Sequence, residues 1–446
     1  MKIVVANGPG RLSTGESLVL FPSRWDAAIA GRKDFAYYPY ELAYLSTLLK
    51  TCLPHDEVKF VDGNLPIPSE VGFGWNSMQY ANHLVSLQPD WVITECSALS
   101  YKTMRACMAE VKEYLPNCKF CLTGPYVTHS WAKAIEDGWD SVIAGEYEYK
   151  VLQLFTDNAQ LLPGRGFDDP VDIDTLPWPE DEDISRIDYW ERSNPLGNIP
   201  GMIQVFPTRG CPLSCTFCAV PLYYGGHGNT SRSHRTRTPA YVCAEIAYLA
   251  AKYQDRFYGC FFNEETHNAD KDWFIRFCTE LIKRKLDHYV YDAMCGYWNF
   301  DEETVRLASA AGYQQLRVGV ENLSETSGRA IKKNVNAERL IQFLHLCRDN
   351  GICTYGTFQI GAQGSSEQED RHTVSLIKAW EKEGLMPRWQ CSISTPQPGT
   401  PFFREAKEKG WLVTQNIARY DGMRAVVDFP HYSADTIQSV FESIWV

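Results

Sequence analysis

Arg209-Gly-Cys-Pro-Leu-Ser-Cys-Thr-Phe-Cys-Ala219 sets three cysteines, Cys211, Cys215 and Cys218, in a C-x3-C-x2-C spacing. Thiolates this close can hold three irons of a [4Fe–4S] cluster, because soft sulfur ligands suit iron–sulfur chemistry. No fourth cysteine follows at matching spacing. One iron is therefore left open to bind a small molecule. Zinc suits the run less well, since structural zinc takes four ligands in paired spacings such as C-x2-C. A disulfide framework is foreign to a long chain whose 15 cysteines are odd in number and scattered mostly through apolar runs.

Outward from this run, bulk properties bound the rest. A chain of 446 residues is too long for one core of usual size, so two or three domains are expected. Hydrophobic content of 44% and charged content of 22% are those of a soluble globular protein. No apolar run approaches the roughly 20 residues of a membrane span. Met1-Lys-Ile-Val-Val-Ala6 runs straight into a polar Asn-Gly-Pro-Gly turn, which reads as a short strand and not a signal peptide. The cysteine usage fits a reducing cytoplasm. The net charge of −12 argues against a nucleic-acid groove. Cys118 and Cys121 form a further C-x-x-C, read as part of a buried strand, where residues three apart point to opposite faces.

Before the cysteine run, residues 1–156 alternate apolar strands with amphipathic helices. Strands are expected at Lys2–Ala6, Val58–Val61, Trp91–Thr94, Lys119–Leu122 and Ser141–Ala144, with helices at Tyr40–Lys50 and up to Tyr114. This rhythm predicts an α/β unit, a doubly wound parallel sheet that binds ligands beyond the carboxyl ends of its strands. Residues 157–200 are rich in Pro, Asp and Gly and read as a linker, with Leu162–Pro170 as its clearest stretch. Over 201–405 the alternation resumes, with strands at Met202–Phe206, Tyr258–Phe262, Tyr289–Ala293, Gln315–Val320, Thr354–Ile360 and Gln390–Ser394. Thr238-Pro239 opens the first long helix as N-cap and first helical residue. Six βα units predict a partial parallel barrel with its chemistry at the carboxyl strand ends. Residues 406–446 form a small extension with a helix over Ser433–Ile444.

The cysteine spacing, Phe217 before the third cysteine and the Arg-Gly-Cys-Pro start resemble the signature of the radical S-adenosylmethionine (SAM) superfamily. An α/β domain ahead of such a barrel resembles its cobalamin-binding group. In the first domain the resemblance rests on Asp62-Gly63, Ser97-Ala-Leu99-Ser100, Thr123-Gly124-Pro125 and Ala144-Gly145-Glu146-Tyr-Glu148. It implies cobalamin contacts from Asp62, Ser97, Leu99, Ser100, Thr123, Gly124, Gly145 and Glu146. The alternative is a flavodoxin-like domain without a ligand. Familiar cobalamin domains carry D-x-H-x-x-G, whose His ligates cobalt. Here Asn64 stands for the His and Ile67 for the Gly, so cobalt should lack that ligand; His129 could in principle replace it.

In the barrel, Phe262-Asn-Glu264-Glu265-Thr-His267 resembles an F-x-D-D-x-F stretch whose carboxylate pairs with the SAM ammonium; which glutamate reaches is open. Gly319-Val-Glu321-Asn322 resembles G-x-E-S, which implies a polar SAM contact from Glu321. Arg235-Thr-Arg237-Thr-Pro239 resembles R-x-R-S-P; Arg237 either binds a carboxylate or caps the loop. His227, His234 and His267 lie near the site in sequence, as proton shuttles or as hydrogen-bonded loop residues. The resemblance implies three cofactors: a [4Fe–4S] cluster on Cys211, Cys215 and Cys218, SAM, and cobalamin. It further implies an external donor such as flavodoxin or ferredoxin, and a C-methyltransferase that moves a methyl group from SAM via methylcobalamin to an unactivated carbon. The alternatives are a non-methylating enzyme with the same cofactors, which cyclises or rearranges, and a cobalamin-binding sensor. The substrate, a small molecule or a protein side chain, is not legible. Exchanging Cys211, Cys215 and Cys218 together for Ala should abolish the brown chromophore and reductive SAM cleavage; near-normal iron, sulfide and cleavage in that variant would sink the cluster assignment.

Overall fold

The computed structural model describes residues 1–9, 38–65, 75–156, 170–189, 201–224 and 234–445, with the backbone of two short strands, Leu18–Leu20 and Ala27–Ile29. Ile67, His227, 157–169 and 190–200 lie outside the described residues, so the sequence readings made there are not addressed. The chain divides into two compact units, Met1–Tyr189 with Leu222–Asn229, and Trp190–Pro221 with Thr230–Val446.

In the first unit, Lys2–Asn7 (β1), Glu57–Asp62 (β2), Trp91–Glu95 (β3), Lys119–Thr123 (β4) and Ser141–Val142 (β5) form a five-stranded parallel sheet. Its order is β2-β1-β3-β4-β5. Ile3, Val4, Val5 and Ala6 are all fully buried, as a strand covered on both faces requires. Tyr40–Cys52 (α1) packs with Glu148–Thr156 (α5). Ser77–Leu87 (α2), Tyr101–Tyr114 (α3) and Pro125–Glu136 (α4) share a core with Val4, Ala6, Val92 and Leu122, the residues of alternate strand positions. Asn76 and Gln79 start α2 with a reciprocal capping box. Order reverses between β1 and β3, so a crevice opens at their carboxyl ends.

The described half of the stretch read as a linker belongs to this unit. Glu180 is buried; its carboxylate accepts from Ser46 Oγ at 2.6 Å and pairs with Lys50 at 2.8 Å. Its amide donates to the Ala43 carbonyl at 3.0 Å. Ile173, Leu176, Ile187 and Tyr189 are buried as well. Proline and aspartate breaks were legible there; the apolar side chains between them are what dock the segment.

In the second unit, Met202–Val205 (β6), Gly259–Phe262 (β7), Val290–Cys295 (β8), Tyr313–Glu321 (β9), Cys353–Ile360 (β10) and Arg388–Ile393 (β11) form a six-stranded parallel sheet in chain order. Pro239–Tyr253 (α6), Lys271–Lys283 (α7), Glu302–Ala310 (α8), Ala337–Asp349 (α9) and Glu367–Lys382 (α10) connect successive strands. Val242, Ile246 and Leu249 form the buried face of α6. Pro239 takes the first helical position, but the Thr238 side chain makes no capping hydrogen bond. Parallel pairing needs such crossovers, and their repetition makes each carboxyl strand end share one rim. Pro401–Glu408 (α11) and Ala434–Glu442 (α12) follow β11.

The interior of this sheet also carries charge. Arg317 is held by Asp292 through Nε at 3.0 and 2.9 Å, and Gln315 Nε2 donates to Asp292 at 2.8 Å. The guanidinium lies 4.1 Å from the Phe261 ring centroid and 5.0 Å from that of Tyr355. Aromatic stacking and paired hydrogen bonds are what such a buried pair needs to offset its desolvation.

Candidate functional site

The cysteine loop leaves the carboxyl end of β6. Backbone pairing defines its start: Thr208–Arg209 pairs antiparallel with Arg235–Thr236. Gly210 takes φ +73, a value open to glycine, and its amide donates to Glu265 Oε2 at 3.1 Å. Farther along, the Thr216 amide donates to the Ile331 carbonyl at 3.1 Å, and the Phe402 amide donates to the Thr216 carbonyl at 3.0 Å. Cys215 is buried, whereas Cys211, Phe217 and Cys218 are half-buried. The three thiols feel one another electrostatically. Burial pushes Cys215 up to about 12, with Lys333 opposing the rise, and burial raises Cys211 and Cys218 too. Among the described residues no three metal-binding side chains converge as a single ion would require. A cubane differs, because each thiolate ligates its own iron.

Glu264 and Glu265, equivalent in sequence, have different surroundings. Glu265 holds the Gly210 amide, and so the first turn of the cysteine loop. Glu264 is buried; its Oε1 bonds His267 Nδ1 at 2.5 Å and lies 3.5 Å from Thr208 Oγ1. Its Oε2 has no partner among the described residues. Burial raises the Glu264 carboxyl, against the imidazole that lowers it. His267 is therefore a hydrogen-bonded interior residue, and half-buried His234 is held below the usual imidazole range by burial. Arg237 is buried, with its guanidinium 5.2 Å from the Tyr241 ring centroid. Its amide donates to the Pro207 carbonyl at 2.8 Å, and its carbonyl accepts from Trp273 Nε1 at 2.7 Å. These hydrogen bonds are made by the Arg237 backbone and leave both alternatives for its guanidinium in place.

Glu321 closes β9 in an unusual conformation. Its φ is +62, at a register shift between β9 and β10. Such strain in a non-glycine residue persists only where surroundings enforce it. Lys333 Nζ sits 2.8 Å from Glu321 Oε1. Burial works against the ammonium, and Glu321 with the Cys215 and Cys211 sulfurs outweighs it, so Lys333 stays charged. A Cβ at Gly319 would lie 2.5 Å from both Glu321 Oε1 and Lys333 Nζ, so the pair needs glycine there. Lys333 was not singled out in the sequence, because nothing in Ile331-Lys-Lys-Asn334 separates a buried lysine from a solvated one.

At the strand ends of the first unit the anticipated cobalamin residues do come together, but most are already engaged. Asp62 accepts from Asn7 Nδ2 at 2.9 Å, the Asn64 amide at 2.8 Å and Tyr189 OH at 2.6 Å. Asn64 is buried and donates its side-chain amide to the Gly8 carbonyl at 3.0 Å. Ser97 Oγ accepts from the Leu99 amide at 3.1 Å, and Ser100 Oγ accepts from the Ser97 amide at 3.1 Å. Thr123 Oγ1 donates to the Thr94 carbonyl at 3.0 Å. Gly124 and Gly145 turn with φ +93 and +72. Glu146 Oε2 accepts from the Val171 amide at 3.3 Å. Tyr189, deep in the stretch read as a linker, could not be placed here from sequence. His129 bonds Ser130 Oγ at 2.7 Å, and burial lowers its imidazole to about 4. Cys118 precedes β4 and only Cys121 lies in it; both thiols are pushed up to about 12 by burial.

Residues 205–377 match the model of the Radical SAM superfamily, and the chain thus carries a radical SAM domain. It is 27% identical to the anaerobic magnesium-protoporphyrin IX monomethyl ester cyclase of Rubrivivax gelatinosus over 415 residues, 86% of this chain and 68% of the relative. It is 27% identical to the bacteriochlorophyllide d C-8(2)-methyltransferase of Chlorobaculum tepidum over 52% of this chain and 50% of that protein. Among solved structures it resembles the radical SAM methyltransferase TsrM of Kitasatospora setae, with tryptophan and a SAM analogue bound. That match has a TM-score of 0.66 at 18% identity and covers 92% of this chain and 77% of the other. A TsrM structure with cobalamin and a [4Fe–4S] cluster matches with a TM-score of 0.63 at 16% identity, covering 92% of this chain and 75% of the other. At these identities the structural likeness is one of fold. Among the described residues no helix is long and apolar enough to cross a membrane.

Asp62 carries a measurable consequence. Burial pushes its carboxyl up to about 6, against the hydrogen bonds from Tyr189, Asn64 and Asn7. The folded value exceeds that of an unfolded aspartate, so the native state keeps a proton that the unfolded chain releases. Stability from this group is complete below about pH 4 and is lost as pH rises through about 6. The difference is worth at most roughly 3 kcal/mol. Thermal unfolding midpoints of the wild type should fall, relative to Asp62→Asn, between about pH 4 and pH 7; parallel profiles would count against it.

Proposed function

We propose that the protein is a cobalamin-dependent radical SAM C-methyltransferase. One observation carries this reading: a three-thiol loop at the carboxyl end of β6, in a chain that also carries a doubly wound unit with unpartnered buried hydroxyls near its strand ends. When bound, the cluster with SAM supplies a 5′-deoxyadenosyl radical, and cobalamin supplies a transferable methyl group.

The residues fit the cluster. Cys211, Cys215 and Cys218 would hold it, on a backbone tied down at Gly210 and Thr216. Lys333 sets one fixed positive charge beside thiols that must lose protons to ligate iron. Phe217 offers a half-buried ring next to the third cysteine. Glu264 keeps one buried oxygen for a donor on SAM, and Glu321 is oriented by Lys333.

The residues also fit a corrinoid. Tyr80 OH and Thr94 Oγ1 are buried without a partner among the described residues. Thr94 shares its strand face with Val92, one residue pair from Cys96. Gly8 and Gly63, at the ends of β1 and β2, leave no room for a Cβ against Met104 and Tyr80. Ser97, Ser100 and Thr123 spend their hydroxyls on the protein, so their loops would hold the corrin through backbone groups. Asn64 has no imidazole and is bonded to Gly8. An external one-electron donor would reduce the cluster.

A second reading, a cyclase with the same cofactors, is favoured by the similarity to the Rubrivivax gelatinosus cyclase along most of the chain. Reduced protein given SAM and cobalamin without substrate discriminates. The methyltransferase reading expects S-adenosylhomocysteine; 5′-deoxyadenosine with no S-adenosylhomocysteine favours the cyclase. For the Co(II) form, electron paramagnetic resonance should show lines unsplit by an axial nitrogen. Triplets that vanish in His129→Ala would overturn the expectation that cobalt lacks a protein imidazole.

A further inference from the structure

Glu264, His267 and Tyr313 form an unbroken hydrogen-bonded chain inside the second unit. His267 Nδ1 meets Glu264 Oε1 at 2.5 Å, and His267 Nε2 meets Tyr313 OH at 2.6 Å. All three residues are buried, His267 completely. The imidazole cannot swing away. Phe262 stacks on it at 4.6 Å with the rings 3° from parallel, and Phe274 and Phe277 close its edges. Its own amide is fixed to the Met294 carbonyl at 2.7 Å.

With Glu264 ionised, Nδ1–H donates to Oε1, and the far ring nitrogen is held by the Tyr313 hydroxyl, which can donate or accept. The chain stops at Glu264 Oε2, which is buried and lacks a partner among the described residues. Buried carboxylate oxygens are rarely left so, because the lost hydration is not replaced. A purely structural bracket would end on a donor; this one ends on an open acceptor, on the residue beside the Glu265 that holds the cysteine loop.

We infer that His267 and Tyr313 are positioning residues that clamp Glu264 by one oxygen and reserve the other for an N–H of the SAM amino group. This rests on the radical SAM reading above. A glutamate has one more rotatable bond than an aspartate, and the imidazole removes that freedom before the ligand arrives. Tyr313 acts one step farther out, by holding the far ring nitrogen and so the orientation of the imidazole.

The test uses the full chain, reconstituted anaerobically with its cluster and reduced. SAM is titrated while the cluster's electron paramagnetic resonance spectrum is followed in samples frozen on mixing, so binding is read from the spectrum and not from product. His267→Phe keeps an aromatic ring in the aromatic surround and removes the hydrogen bond to Glu264. SAM should bind about ten-fold more weakly or worse, with iron content near that of the wild type, while the thermal midpoint falls because Glu264 Oε1 loses its partner. Tyr313→Phe should give a smaller loss. His267→Asn, whose amide can donate from near the Nδ1 position, should recover most of the affinity. Wild-type affinity in His267→Phe, or an Asn variant as weak as the Phe variant, overturns the clamp while leaving the radical SAM reading intact. A wild-type spectrum that ignores SAM overturns that reading, and the clamp with it.

Discussion

Three thiols on one loop act together only while the backbone between them keeps a single shape. Here that shape is imposed from outside the loop. An antiparallel pairing with Arg235–Thr236 fixes its start, Glu265 holds its first turn, and Ile331 and Phe402 hold Thr216 from two other segments. Each tether comes from a different connection of the half-barrel. The loop's geometry is thus a property of the whole parallel sheet, whose repeated crossovers bring those connections to the rim on which β6 ends.

Around this rim, buried charge is compensated by specific partners and not by water. Glu321 accepts a left-handed backbone and is matched by Lys333. Glu264 is matched on one oxygen by His267. In the first unit Asp62 gathers three donors at the end of β2. Removing one member of such a set leaves an uncompensated buried group, which costs several times what an exposed ion pair contributes. The exposed pairs of the helix surfaces, such as Arg306 with Glu302, carry no comparable weight.

Much of this was legible residue by residue. The strand ends in both units fell within a few positions of those expected, because buried parallel strands read as short apolar runs closed by polar or glycine-bearing turns. The cysteine spacing, Glu321 and the Asp62-Gly63 turn stood out in the same way. Lys333 and Tyr189 did not. Their importance comes from partners 12 and 127 residues away, Glu321 and Asp62, and no local pattern encodes such separations. The two adjacent glutamates were likewise inseparable until their neighbours were in place.

What the amino-acid order determined alone is the periodicity that makes two α/β units and the thiol spacing suited to a cluster. These depend on neighbours within a few residues, where chain geometry is nearly fixed. What tertiary structure decided is the assignment of work among equivalent groups. Glu265 braces the loop while Glu264 keeps an open oxygen, and the Ser97, Ser100 and Thr123 hydroxyls of the first unit are spent on the protein itself. The reason is that a polar side chain's role depends on which donors and acceptors the fold brings within about 3 Å, and folding brings them from distant parts of the chain.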